Sequence, residues 1–257
     1  MMCAALLRWL GIAAPGILGL GTTALAQMPP GTGAALALAP AAPAVLNAPA
    51  LVAQGSISAG DTAWMITATA LVLLMTLPGI ALFYAGMVRQ KNVLNTMASV
   101  VAIAALVSVL WFAVGYSWAF TPGSPWLGGG ERLGFAGLDL LQGAGLVAVS
   151  HIAPHIPESV YAMFQLTFAL ITAALVVGAL VERMRFSALL WFMGLWSLCV
   201  YVPVAHWVWE PGGWLARLGA LDFAGGTVVH VNAGVAGLVC AWTLGPRQGY
   251  GREPFEP

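Results

Sequence analysis

The sequence predicts an all-α integral membrane protein built on five transmembrane helices. Three observations carry that prediction. Hydrophobic residues make up 60% of the 257-residue chain and charged residues only 7%, whereas a soluble domain carries about 25% charged residues. Too few charges remain to cover a water-facing surface. Five apolar segments lie at about 63–88, 97–120, 158–181, 186–209 and 226–245, each reaching the roughly 20 residues a helix needs to cross a bilayer. These runs also lack the strict alternation of a spanning strand, and only helices and closed barrels satisfy the backbone in lipid.

The region before the first segment reads differently. Arg8, the apolar run "WLGIAAPGILGL" and "ALA" before Gln27 predict a cleaved signal peptide over residues 1–26. Residues 27–60 are rich in Ala, Pro and Gly, with no charge, and predict a flexible extracytoplasmic leader. Residues 61–257 then form the membrane domain. Cys3, Cys199 and Cys240 have no metal-ligand spacing. Cys199 and Cys240 lie in apolar runs and read as small core residues.

Basic residues set the expected orientation. Arg89, Lys91, Arg183, Arg185, Arg247 and Arg252 follow segments one, three and five, while the opposite loops hold only Arg132 and Arg217. The positive-inside rule then puts the N-terminus outside and the C-terminus in the cytoplasm. A signal peptide independently predicts the same. The zero net charge and the lack of a basic patch give nucleic-acid binding no support. Small residues (Gly79, Ala81, Ala85 and Gly86 in segment one, Ala233 and Gly237 in segment five) allow close helix approach and predict a tight bundle. Pro78-Gly79 predicts a kink.

Chemistry concentrates in a few residues. "DFAGGTVVHVNAG", residues 222–234, sets His230 among valines and alanines. An ionisable group inside a membrane segment costs roughly 2.5–3.5 kcal/mol or more when charged, so His230 is expected to face the bundle interior or a cavity. A neutral imidazole both donates and accepts, and so can line a path for small polar molecules; a hydrogen-bonded core histidine is the alternative. Asp222, at the start of segment five, reads either as an N-cap or as a cation attractor at the mouth. Phe164 and Phe168 share one helix face, with Gln165 beside them, and Trp207, Trp209 and Trp214 crowd the end of segment four. Packing and an interfacial belt explain these aromatics on their own; an aromatic cation cage is the sharper possibility. His151 and His155 have the spacing of a helical metal pair, but Pro154 and Pro157 break the helix such a pair needs, so no metal is assigned.

Three long stretches carry a family resemblance: "DTAWMITATALVLLMTLPGIALFYAGMVRQKNVLN" (61–95), "FQLTFALITAALVVGALVERMRFSA" (164–188) and "YVPVAHWVWEPGGWLARLGALDFAGGTVVHVNAGVAGL" (201–238). They resemble the ammonium transporter family, Amt/Mep/Rh, on its bacterial Amt branch. The resemblance implies an eleven-helix inverted-repeat fold, a homotrimer with one pore per subunit, and transport of ammonium or methylammonium across the plasma membrane for nitrogen uptake. It implies no enzyme activity and no cofactor. Phe168 matches an outer gate phenylalanine, accompanied by Phe164 and Gln165. Trp209 matches the tryptophan of the outer cation site, Asp222 the aspartate near it, and His230 the first of two pore histidines. Glu210-Pro211 departs from the family's glycine run. The final "GPRQGYGREPFEP" resembles the linker between the two repeats, so the resemblance covers the first half of the pore, without the partner histidine. A PII-type regulator docking near Arg89, Arg183 and Arg247 is a further implication. Two other functions stay open: an ammonium sensor, and a redox subunit holding haem through His206 and His230.

Overall fold

The computed structural model describes residues 46–138, 140–141, 144–247 and 249–252. The expected signal peptide and the leader up to residue 45 lie outside the described residues. Among the described residues, five helical stretches are long and apolar enough to cross a membrane: α1 (Ala59–Ala85), α2 (Gln90–Phe120), α3 (Glu158–Leu180), α4 (Phe186–Arg217) and α5 (Gly226–Leu244). Each overlaps one predicted segment. α1 begins earlier than hydropathy marks because the Ser58 hydroxyl accepts from the Asp61 N–H at 3.2 Å and caps the first turn.

Four of the five helices widen into a π-helical turn, at Met75–Ile80, Trp111–Gly115, Ser197–Tyr201 and Gly226–Val231. The first contains Pro78, which has no N–H to donate, at the kink expected from Pro78-Gly79. α3 is the central helix: 61% of its membrane window is buried, against 17% for α1 and for α5. It packs against α1, α2 and α5. Small residues permit this. A Cβ on Gly178 would lie 2.5 Å from the Tyr84 ring, and one on Gly237 would meet Ala179 at 3.3 Å. The Tyr84 hydroxyl crosses the same contact and donates to the Leu175 carbonyl at 2.8 Å.

Three findings depart from the sequence-based expectations. The described part of the leader is ordered: β1 (Ala50–Ala53) pairs antiparallel with β3 (Leu146–Val149), which also pairs with β2 (Leu140–Leu141). The fold is therefore not purely helical. The register Ala50↔Val149 to Ala53↔Leu146 joins segments nearly a hundred residues apart, so neither strand has a local signal beyond a short apolar run. Cys199 is exposed rather than part of the core, whereas Ser197 and Tyr201 of the same π-helical turn are buried.

At one end of the bundle the turns converge on Glu182. Its carboxylate accepts from Arg89 Nε at 3.1 Å and from the Asn92 amide, and Arg247 Nη1 lies 3.7 Å away. The clamp holds Glu182 at a φ of 63°, a left-handed conformation rare for a side-chain-bearing residue. Burial alone pushes its carboxyl pKa up, but the Asn92 and Arg89 bonds outweigh that and hold it below the ordinary 4.5. A depressed carboxylate stabilises the fold above its unfolded pKa and loses that contribution as pH falls through the folded value. Glu182→Gln is therefore expected to lower the unfolding midpoint in detergent at neutral pH, with the difference from the native chain closing as the pH drops below 4.5. A pH-independent difference would assign the clamp to shape rather than charge.

Candidate functional site

At the opposite end, α3, α4 and the segment before α5 enclose a cleft of about 210 Å³. Phe164, Gln165, Phe168, Trp209 and Asp222 all line it, together with Tyr161 and Ile152. A water molecule's share of liquid volume is about 30 Å³, so the cleft has room for a small cation with part of its hydration shell.

Each wall has a local cause. Tyr161, Phe164, Gln165 and Phe168 follow i, i+3, i+4, i+7 spacing and present one face of α3. Phe164 and Phe168 meet edge to face, with centroids 5.0 Å apart. Trp209 stands at the last turn before α4 is interrupted, its ring 5.7 Å from Phe168 at 74° and stacked on Phe120 at 6.4 Å and 14°. Its indole N–H donates to the Asp222 carbonyl at 3.1 Å. Trp207 and Trp214 instead cluster with Trp126, at 5.9 and 5.2 Å. The three tryptophans that look alike in sequence thus divide into a surface cluster and one cleft residue.

Asp222 caps α5. Oδ1 accepts from Gly225 N at 2.7 Å, and Oδ2 from Thr227 N and Val228 N at 2.9 and 2.8 Å. Gly225 makes the turn possible. Its φ is 87°, and a Cβ there would lie 2.6 Å from Val229. Of the two readings of Asp222, the cap is directly visible, and the same carboxylate also borders the cleft.

His230 is not brought into this group. It lies in the π-helical turn Gly226–Val231, exposed on the open face of α5 rather than lining the cleft. The expectation that it faces the interior therefore does not describe this chain, because no described helix covers that face of α5. His206 is fully buried, with Nδ1 3.0 Å from the Ala119 carbonyl and Nε2 2.8 Å from that of Ser124. Neither ring nitrogen is left to ligate iron, which overturns the haem arrangement through His206 and His230.

Sequence reasoning missed Tyr161, Ile152, Phe223 and Ala224 in the lining and Phe120 behind Trp209. Tyr161 was accessible through its helical spacing with Phe164, Gln165 and Phe168. Ile152 had no signal, since a loop brings it there. Its neighbour His151 places Nε2 at 3.0 and 3.1 Å from the two oxygens of Glu210, with both side chains 4% exposed.

Comparison with known proteins agrees with this architecture. Residues 63–256 match the profile of the Ammonium Transporter Family. An ammonium transporter of Bacillus subtilis (strain 168) is 51% identical over 189 residues, covering 74% of this chain and 45% of the relative. Ammonium transporter Amt1 of Archaeoglobus fulgidus is 41% identical over 200 residues, covering 78% of this chain and 47% of the relative. The crystal structure of Candida albicans Mep2 superposes with a TM-score of 0.69 at 36% identity, over 79% of this chain and 44% of Mep2. A structure described as a sensor Amt protein matches with a TM-score of 0.61 at 26% identity, over 72% of this chain and 44% of its own. The chain thus spans less than half the length of these relatives. With five apolar helices arranged as in Mep2 and a profile match over three quarters of its length, this multi-pass membrane chain belongs to the Ammonium Transporter Family.

Proposed function

We propose that residues 61–257 form the first repeat of an eleven-helix, inverted-repeat ammonium transporter, and that the aromatic cleft is its outer cation-recruitment site. The observation that carries this is the convergence of Phe164, Gln165, Phe168, Trp209 and Asp222 on one cleft at one end of a family fold. The basic turns at the Glu182 end support a cytoplasmic position for that end by the positive-inside rule, with the cleft and the N-terminus outside the plasma membrane. Assembly is as a homotrimer, with Arg89, Arg183 and Arg247 on the face a PII-type regulator would meet.

Magnitudes shape the mechanism. Cation–π contacts to Phe168 and Trp209 supply roughly 0.5–2 kcal/mol each. A unit charge at the membrane centre costs about 2.5–3.5 kcal/mol at the least, and both aromatics stay at the cleft, so their attraction is lost as the ion moves inward. The aromatics therefore recruit the cation but cannot carry it dry. Ammonium gives up its proton near the gate to the hydrogen-bonded path that His230 lines, ammonia passes inward, and the His230 ring relays the proton along that path to re-form ammonium on the cytoplasmic side. His230 completes this role only when its open face is covered, as the second half of the fold would do.

Equilibrium binding of radiolabelled methylammonium to the chain in nanodiscs tests the site. Trp209→Ala is expected to raise the dissociation constant by about 2- to 30-fold, the equivalent of one cation–π contact. A native chain without saturable binding would sink the assignment. In liposomes carrying an assembled transporter, His230→Leu should abolish charge-coupled uptake, and unchanged currents would remove the relay role. Ammonium binding without uptake by that assembly would favour a sensor.

A further inference from the structure

Trp209 sits at a vulnerable place. α4 breaks immediately after it, Glu210 adopting an extended backbone, and helix ends fray unless tied. Its side chain is held by Asp222, Phe120 and Phe168. Glu210 N–H donates to the His206 carbonyl at 3.3 Å and Gly213 N–H to the Glu210 carbonyl at 2.8 Å, and the Glu210 side chain adds a long-range tie. Glu210 reaches His151, 59 positions earlier, and both are withdrawn from solvent. The next residue after His151, Ile152, lines the same cleft as Trp209. One buried pair therefore ties together two chain segments whose adjacent residues both line the site. His151 Nε2 faces both carboxylate oxygens while Nδ1 is buried without a hydrogen-bond partner.

We infer that the His151–Glu210 pair is a clasp that positions Trp209 and Ile152 across the cleft, making His151 and Glu210 positioning residues for cation recruitment. This rests on the cleft being the cation site. The electrostatic sign separates positioning from charge. Removing the imidazole leaves the Glu210 carboxylate unpaired, and charge alone would then strengthen cation binding. Loss of position would weaken it. Glu210→Gln does the reverse: it removes the charge and keeps an oxygen that accepts from His151.

The test uses the full chain in nanodiscs with 5-fluorotryptophan, whose Trp209 resonance is assigned by its disappearance in Trp209→Phe. His151→Ala is expected to move that resonance and to raise the methylammonium dissociation constant by roughly three- to tenfold, part of what one cation–π contact supports. Glu210→Gln is expected to leave both near the native values. Where His151→Ala does not fold, Glu210→Ala breaks the clasp from the other side, with the same resonance shift expected. An unmoved Trp209 resonance overturns the clasp. So does tighter or unchanged binding in His151→Ala, or an effect of Glu210→Gln as large as that of His151→Ala. A native chain that binds no methylammonium, with a Trp209 resonance that His151→Ala still moves, overturns the cation-site assignment and leaves the positioning intact.

Discussion

Glu158→Ala is expected to destabilise the fold by about 3–5 kcal/mol, the range for removing one partner of a buried ion pair. Glu158 is fully buried at the first turn of α3 and accepts from Arg132 Nε at 2.9 Å, Arg132 Nη2 at 2.8 Å and the Tyr116 hydroxyl at 3.0 Å. Burial works against the charged form of Arg132, but the bond to Glu158 and its charge outweigh that and raise the guanidinium pKa. Removing the carboxylate leaves a mostly buried cation and a buried hydroxyl unpaired, which is why the loss exceeds that of a surface pair. The loop between α2 and α3, held by Arg132, should become sensitive to protease, and the unfolding midpoint in detergent should fall. Glu158→Gln keeps the volume and one acceptor, so its loss should be smaller. An Ala variant as stable as the native chain would show that the pair contributes nothing net.

Asp222→Ala is expected to affect fold and site together. Three backbone N–H groups at the start of α5 lose their acceptor, with a cost of about 2 kcal/mol, the upper end for a helix cap. The same residue's carbonyl receives the Trp209 indole N–H, so a frayed α5 start should also loosen one wall of the cleft. Methylammonium affinity and unfolding midpoint should fall in parallel. Asp222→Asn retains one carbonyl oxygen and should be intermediate in both measurements. If Asn kept the stability but lost as much affinity as Ala, Asp222 would act mainly through its charge rather than as a cap.

How much of this was legible beforehand depended on the range of the interaction concerned. Phe164, Gln165 and Phe168 could be placed on one face from spacing alone, because helical periodicity is local. Trp209 could not be told from Trp207 and Trp214 on that basis; the end of α4 and the partner rings decide which one turns to the cleft. The sequence leaves Asp222 open between cap and cation attractor, and the three N–H donors around its carboxylate make the cap explicit. His230 was expected to face inward, yet it lies on a face of α5 that no described helix covers.

The sequence by itself determined the position and type of the five membrane helices among the described residues and the family, since apolar length and long motifs are properties of contiguous residues. Only the tertiary structure decided that residues 50–53 pair with 146–149, that His151 clasps Glu210, and that a loop isoleucine completes an aromatic cleft. Those contacts join segments far apart in the chain, and no local pattern encodes a partner that packing alone selects.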